Sequence, residues 1–268
     1  EFEHEETRIT GVVSGPISDT VGARVVGYYR DMDGYFYNTR QERNEPNVRE
    51  AFVRGILAFE GGGPLSADLK VEYADFKTKG QPREAFGPAG SYSLVFAGPL
   101  FVETDEDYVR ADGGYESRNK ILNAVVNANL ELGDHTLTSV TGYLDYNVDE
   151  TIDVDFTNLP LLDGTAQSED YRQFSQELRI ASPGDLAFNY IAGVYYQNTK
   201  LGLTDHVQFN PFFFATPFRA LGDTSNDRDY SQKSDLYSVF AQGEYSLTDD
   251  LRITVGARFN HESKTGGR

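Results

Sequence analysis

The chain has 268 residues and only four histidines, at positions 4, 135, 206 and 261. Asp205 and His206 are adjacent within a long connection and could act together as an acid–base pair. The other histidines lie in a turn or near the ends of the chain, and no motif places a second aspartate beside them. The sequence also lacks a P-loop, a dinucleotide fingerprint and a nucleophile elbow. We therefore predict no catalytic residue and a protein that is not an enzyme.

Metal ligands are equally scarce, because the chain contains no cysteine and hence no thiolate site. The segment from Asp153 to Asn158 has the alternating acidic residues of a Ca²⁺ loop, but Asn158 stands where that loop requires glycine. Its twelfth position is Gly164 rather than glutamate. We interpret the segment as a solvated acidic loop and predict neither a metal site nor a cofactor.

A phenylalanine-rich segment, residues 209–219, is the strongest candidate for ligand binding. Exposing so many aromatic rings in a connection is costly unless they have something to contact. They could form a wall that grips a small molecule, or they could pack against a neighbouring part of the protein. The predicted ligand-binding residues are Phe209, Phe212, Phe213, Phe214, Phe218 and Arg219.

The net charge of −18 restricts the possible partners. Nucleic-acid binding needs a basic footprint, so we predict no nucleic-acid partner. The same charge argues against docking on an anionic membrane surface. An acidic exterior could favour cationic or metal-containing ligands, although solubility alone would also explain it.

The elements that would position these residues are strands, because polar and apolar residues alternate along most of the chain. The alternation is clearest from Arg252 to Glu262, where even-numbered residues are mainly polar and odd-numbered residues mainly apolar. From Tyr237 to Leu247 the pattern repeats, with Phe240 as an exception on the polar face. Ten strands are predicted near residues 5–14, 21–30, 48–60, 67–77, 118–131, 135–149, 169–182, 188–197, 237–247 and 252–262.

The connections between these strands alternate in length. Five short turns lie near residues 14–20, 60–66, 131–134, 182–185 and 246–250, and four long connections near 31–47, 78–117, 150–168 and 201–232. Outer-membrane barrels have this asymmetry of short periplasmic turns and long extracellular loops. A soluble β-sandwich also alternates, but its strands average about 5–6 residues, shorter than those predicted here. We therefore predict an all-β fold, an antiparallel transmembrane β-barrel.

The orientation of the strands predicts that the chain is a piece of a larger barrel. If the short turns are periplasmic, both Glu1 and Arg268 lie on the outer side, whereas complete barrels of this plan keep both termini inside. We expect further strands before Glu1 and after Arg268.

Several short segments carry a family resemblance through their order along the chain. They are Val13 to Thr20, Arg30 to Tyr35, Phe174 to Arg179 (Phe-Ser-Gln-Glu-Leu-Arg), Tyr237 to Gln242, Leu247 to Asp249, and Val255 to Phe259. Together they resemble the TonB-dependent receptor family, over roughly the first half of its barrel. The resemblance implies a barrel of about 22 strands with an N-terminal plug domain inside it.

That resemblance also implies a function. The whole receptor would import a scarce nutrient, such as an iron–siderophore complex, across the outer membrane of a Gram-negative bacterium. Its implied partners are outer-membrane lipid, the small-molecule nutrient, and the TonB–ExbB–ExbD system acting through the plug. Residues 1–268 would form part of the barrel domain, without the plug and the C-terminal strands. A ten-stranded outer-membrane protease and a passive porin are the alternatives.

Overall fold

A computed structural model describes residues 5–81, 108–110, 113–153, 165–208, 225–248 and 250–268. Those residues form thirteen strands and no helix. The strands are β1 (Thr7–Pro16), β2 (Val21–Met32), β3 (Phe36–Asn38), β4 (Arg43–Glu45), β5 (Asn47–Glu60), β6 (Leu65–Lys79), β7 (Val109–Arg110), β8 (Tyr115–Leu132), β9 (His135–Ile152), β10 (Thr165–Ala181), β11 (Phe188–Gln208), β12 (Ser225–Ser246) and β13 (Arg252–Gly267).

The ten long strands form one antiparallel sheet in the order β1-β2-β5-β6-β8-β9-β10-β11-β12-β13. Each long strand pairs with the next long strand along the chain, so the sheet is an up-and-down meander whose two edges are β1 and β13. The prediction of ten antiparallel strands is confirmed. Within the described residues, no helix is long and apolar enough to cross a membrane.

Short turns join the strands at one end of the sheet, as predicted. The tightest is Gly133-Asp134, which directly connects the paired residues Leu132 and His135. Gly133 has a φ of 63°, the positive value that the first residue of a two-residue type II′ hairpin requires. At the opposite end the connections are longer, and three of them lie partly or wholly outside the described residues.

The two faces of the sheet differ in crowding, which shows how it curves. Among described residues of the main sheet, every buried side chain lies on the same face. These residues are Val48, Ala74, Ser117, Thr138, Thr165, Ser234 and Ser238. We call this concave side the inner face, and the opposite, convex side the outer face.

The outer face carries the apolar residues. Cross-strand pairing places Val25, Val53, Tyr73 and Val126 on it, and each is between 41% and 50% exposed. Large exposed apolar side chains across a whole face are unfavourable in water. Their environment is therefore apolar, as the predicted transmembrane barrel requires.

Two strands are much longer than the sequence predicted. Residues 201–232 were expected to form a long connection, but β11 continues to Gln208 and β12 begins at Ser225. The prediction was wrong at both ends because the alternation disappears there. Both faces are polar there, with Thr204 and Asp227 on one and Asp205 and Arg228 on the other. Polar residues on both faces are expected where both faces contact water.

Three short strands were also missed. β3 pairs with β4 in antiparallel orientation and with β7 in parallel orientation, forming a small separate sheet. These strands have only two or three residues each, too few for any periodicity to be recognised. They lie in the first two long connections, at the end of the sheet opposite the short turns.

Candidate functional site: the inner face and the outer connections

Four tyrosines on the outer face lie at the same height along their strands, which we call the tyrosine level. Tyr29, Tyr73, Tyr143 and Tyr196 each lie eight residues after the first residue of their strand, on β2, β6, β9 and β11. Between the short turns and this level, the described strands place no Lys, Arg, Asp or Glu on the outer face. Such an uncharged band bounded by aromatic residues is typical of barrel strands in a bilayer. The tyrosine level is therefore the outer boundary of the bilayer.

The inner face at the same level is polar and cross-linked by charge. Glu72 accepts hydrogen bonds from Arg54 at 2.5 Å and Asn123 at 2.9 Å, and it pairs with Lys70 at 3.1 Å. These contacts join β5, β6 and β8. An inner face built this way can line a wet interior or contact another polar domain.

Farther along the sheet, the inner face has an aromatic–arginine patch, formed by Tyr195, Phe240, Arg258 and Ser238. The guanidinium carbon of Arg258 lies 5.7 Å from the ring centroid of Tyr195 and 5.5 Å from that of Phe240. Its Nη2 donates to the Ser238 hydroxyl at 3.0 Å. Cations at this distance from aromatic rings are stabilised by the ring quadrupole. The patch presents a fixed positive charge between two aromatic faces.

The close packing of Phe240 explains its exceptional position in the alternating sequence. Gly193 lies directly across from it on β11, and a Cβ on Gly193 would lie only 2.5 Å from the ring. The missing side chain of Gly193 leaves the space that the ring occupies. The break in the alternation at Phe240 was therefore the sequence signal for this patch.

A second aromatic pair lies on the inner face of β9 and β10. The rings of Tyr146 and Tyr171 stack with centroids 5.0 Å apart, and the Tyr146 hydroxyl donates to Glu169. Nearby, Glu150 accepts from Tyr115 at 2.9 Å and from Ser117 at 3.1 Å. Tyrosine offers both an apolar face and a hydroxyl, so these residues suit contact with a mixed polar and aromatic ligand.

The first long connection folds around a completely buried carboxylate. The side chain of Glu45 is 0% exposed and accepts from Arg43 at 2.9 Å and from Asn38 at 3.2 Å. A Cβ on Gly34 would collide with the backbone of Glu45, and a Cβ on Gly80 would collide with the Glu45 side chain. Because Gly80 follows β6, the first and second outer connections are held together at this point.

The predicted ligand-binding segment connects the ends of the two longest strands. Phe209, Phe212, Phe213, Phe214, Phe218 and Arg219 lie outside the described residues, between Gln208 and Ser225. The strands on either side of them, β11 and β12, end on the side of the sheet opposite the short turns, and the role of these residues in binding stays a prediction.

Asp205 and His206 do not form the acid–base pair that their adjacency suggested. Successive residues of a strand point to opposite faces, so Asp205 lies on the inner face and His206 on the outer face. Asp205 pairs with Arg228, while His206 pairs with Asp227. Both contacts join β11 to β12, the first as an ion pair and the second as a hydrogen bond.

The Ca²⁺-like segment has a structural role at its first residue. Asp153 is 3% exposed, and its carboxylate accepts from the backbone N–H of Gly113 at 2.5 Å. The remaining residues of that segment lie outside the described chain. Among the described residues, no group of three or more His, Cys, Asp or Glu could hold a metal ion.

Comparison with known proteins identifies the family. The family model described as TonB dependent receptor-like, beta-barrel matches residues 58–268. No curated protein matches the sequence.

Solved structures share the fold at low sequence identity. FyuA, the ferric yersiniabactin uptake receptor from Yersinia pestis, has a TM-score of 0.72 and 17% identity, over 97% of this chain and 37% of its own. The ferripyoverdine receptor of Pseudomonas aeruginosa, bound to ferripyoverdine, has a TM-score of 0.67 and 14% identity, over 98% and 36%. The ferric-catecholate import receptor Fiu from E. coli K12 has a TM-score of 0.64 and 12% identity, over 97% and 43%.

This chain therefore spans less than half the length of each of these receptors. At such identities the likeness shows the fold alone, and the family assignment comes from the family model, which matches most of the chain. The protein belongs to the TonB-dependent receptor β-barrel family, a family of transport receptors, and its strands lie in the outer membrane of a Gram-negative bacterium.

Proposed function

We propose that this chain forms part of the barrel of a receptor that imports a scarce nutrient, such as an iron–siderophore complex, with energy supplied through TonB. The observation that carries the proposal is the family match over residues 58–268. The similar structures support the ligand class, since they include receptors for ferric yersiniabactin and ferripyoverdine. The chain carries no catalytic centre in this proposal.

The domain assignment follows from the same proposal. Residues 1–268 are one partial barrel domain, and the plug and the other strands belong to the rest of a longer protein. TonB–ExbB–ExbD would act on that plug, and the inner face of this sheet would surround it. The lipid of the outer membrane, the plug and the nutrient are then the partners, and nucleic acid is not among them.

The phenylalanine segment is the proposed ligand contact within this chain. Phe209, Phe212, Phe213, Phe214, Phe218 and Arg219 connect two strands that extend beyond the bilayer boundary. Aromatic rings suit the organic part of a metal chelate, and Arg219 suits an anionic group on it.

Import is tested with the complete receptor gene, expressed in a bacterium that lacks its own siderophore receptors. Radiolabelled ferric siderophores are supplied one at a time, with cobalamin and an oligosaccharide for comparison. We expect uptake of one ligand that disappears when TonB is deleted. Uptake that continues without TonB would favour a passive porin, and peptide cleavage by the purified receptor would favour the protease.

The ligand contact is tested by replacing Phe212, Phe213 and Phe214 together with serine. Buried aromatic contacts at binding sites often contribute more than 1 kcal/mol each, so we expect affinity to fall by about tenfold or more. Phe59→Ser, at the short-turn end of β5, is the matched control and should leave affinity unchanged. Equal affinity in the triple variant would contradict the proposed contact while leaving import intact.

A further inference from the structure

The first two outer connections are hydrogen-bonded to each other. The first, second and third outer connections span residues 33–46, 80–114 and 153–164. β7 of the second pairs with β3 of the first, and the Tyr37 N–H donates to the Tyr108 carbonyl at 2.9 Å. The Gln41 side-chain amide donates to the Gly113 carbonyl, also at 2.9 Å. The described parts of these two connections therefore form one folded unit.

The third connection is joined to the second by its first residue, Asp153. The Asp153 carboxylate accepts from the Gly113 N–H at 2.5 Å, and the Asp153 N–H donates to the Gly114 carbonyl at 3.1 Å. The Gly80 N–H donates to the Tyr115 carbonyl at 2.7 Å, which brings the two ends of the second connection together. The backbone groups of these connections are thus satisfied by one another, and the three are linked in series.

The side chain of Glu45 is buried within this unit and is 0% exposed. Its Oε1 accepts from Nε and Nη2 of Arg43 at 3.0 and 2.9 Å, and its Oε2 accepts from the Asn38 amide at 3.2 Å. A Cβ on Gly80 would lie 2.4 Å from the Glu45 side chain. The carboxylate therefore takes its donors from the first connection and packs against the backbone of the second.

A carboxylate at this position specifies one arrangement of the chain. A buried ion pair is a poor source of stability, because apolar side chains of the same volume are often at least as stabilising. Any other packing of the first connection would leave the charge of Glu45 buried without donors, which is strongly unfavourable. Asn38 is fixed as well, since its side-chain oxygen accepts from the backbone N–H groups of Arg40 and Gln41, both at 3.0 Å.

The joined connections present an aromatic surface, formed by Tyr35, Phe36 and Tyr108. The ring centroids of Tyr35 and Phe36 are 4.8 Å apart, and those of Phe36 and Tyr108 are 5.3 Å apart. Phe36 is 7% exposed, whereas Tyr35 and Tyr108 are 43% and 55% exposed. Two exposed tyrosines, one from each connection, therefore pack on one buried phenylalanine. Rings held in place this way lose little conformational freedom when they contact a ligand.

We propose that Glu45 is a positioning residue for ligand binding, which keeps the first two connections together so that Tyr35 and Tyr108 form one contact surface for the nutrient. This inference rests on the proposed import function. Because the two tyrosines come from different connections, their common surface exists only while the connections are joined. The barrel itself does not depend on Glu45, since the donors Asn38 and Arg43 lie outside the ten-stranded sheet.

Hydrogen exchange of the complete receptor, measured by mass spectrometry, tests the joining without any ligand. In Glu45→Ala, amide exchange should become about tenfold faster or more in peptides of residues 33–46 and also of residues 108–115, because the bonds between the two connections open. Peptides of β11 and β12 should exchange as before. Faster exchange in the first connection alone, or in neither connection, would overturn the proposal.

Uptake kinetics test the effect on ligand binding. The probes are a radiolabelled ferric trishydroxamate, a ferric triscatecholate and a ferric citrate-type chelate, supplied to cells that lack other siderophore receptors. For each probe that the unmodified receptor imports, Glu45→Ala should raise KM about tenfold with Vmax unchanged, since the tyrosines must be ordered again at every binding event. Glu45→Gln keeps the shape and one acceptor oxygen, so its KM should rise less. A merely structural role would lower Vmax, through loss of receptor from the membrane.

Asp145→Ala is the matched control. This carboxylate also accepts from an arginine, Arg172, at 2.9 Å, but it lies on the outer face of β9, so both exchange in the connections and KM should stay unchanged. Heat-modifiable migration on gels confirms that each variant is folded. An unchanged KM in Glu45→Ala, or an equal rise in Asp145→Ala, would overturn the positioning role. If the unmodified receptor imports none of the probes, the import function fails and the ligand-binding role of Glu45 fails with it, whereas the exchange experiment still decides whether Glu45 joins the connections.

Discussion

Val25 and Val26 are neighbours on β2 with opposite surroundings. Val25 lies on the outer face beside Gly55 and is 50% exposed, whereas Val26 lies on the inner face directly opposite Arg54. Their side chains are identical, so the difference between the faces is set by strand register alone. On this sheet the more exposed face is the apolar one, the reverse of a soluble protein, because lipid replaces water as its solvent.

The largest expected effect comes from placing the same charge on each of these two positions. Val25→Arg puts a guanidinium into the lipid-facing band and should destabilise the folded barrel by about 2–4 kcal/mol. Val26→Arg faces the polar interior, where Arg54 is already paired with Glu72, and should cost less than about 1 kcal/mol. Urea unfolding of the complete receptor in lipid vesicles measures both. Similar losses for the two variants would show that the faces are assigned incorrectly.

Replacing glycines with alanine tests the difference in packing, because the inner face is more closely packed than the outer one. Gly193→Ala would bring a Cβ within 2.5 Å of the Phe240 ring and 2.8 Å of the Leu178 carbonyl oxygen, and should cost about 1–3 kcal/mol. Gly27→Ala on the outer face meets no atom within 4 Å and should change stability by less than about 0.5 kcal/mol.

The unfolding assay in vesicles distinguishes the two glycine variants. Adding Phe240→Ala to Gly193→Ala should recover part of the loss, since the ring is the nearest obstacle. No recovery in the double variant would mean that the backbone of β10, rather than the ring, limits the space at Gly193.

Of the three comparisons between the faces, the loss of stability on breaking an ion pair should differ least. Asp75→Asn breaks the exposed outer pair with Arg118 and should cost about 0.2–1 kcal/mol, less at high salt. Glu72→Gln weakens three contacts on the inner face at once and should cost about 1–2 kcal/mol. The measurement is unfolding of both variants at low and high salt. An equal salt dependence would contradict the view that the inner pair is better shielded.

Strand number, order and face assignment could be read from the sequence because a bilayer enforces the alternation. From Arg252 to Glu262 each residue meets either lipid or the interior, so polar and apolar types separate cleanly. Beyond the bilayer both faces contact water, so polar and apolar residues no longer alternate at the outer ends of β11 and β12. The prediction of a connection over residues 201–232 failed there, although the backbone ladder continues through Asp205 and Arg228.

The candidate site was less predictable because its contacts join residues distant in sequence. Arg258 meets Tyr195 across two strand pairings, and only the irregular position of Phe240 indicated that something unusual lay there. Glu45 is buried by glycines from two different connections, which no local pattern reveals. The ligand-binding prediction at Phe212 and its neighbours rests on composition alone.

The tyrosines that lie eight residues after the start of β2, β6, β9 and β11 give a measure of membrane thickness. Eight residues at about 3.3 Å each, on strands tilted by about 40°, span roughly 20 Å along the bilayer normal. A bacterial outer membrane has a thinner hydrocarbon layer than average, and these strands match it. In a thicker bilayer, either the hydrocarbon layer would have to thin around the barrel, or the charged residues beyond the tyrosines would be buried in it. The same spacing that anchors the protein therefore also restricts which membranes it can occupy without strain.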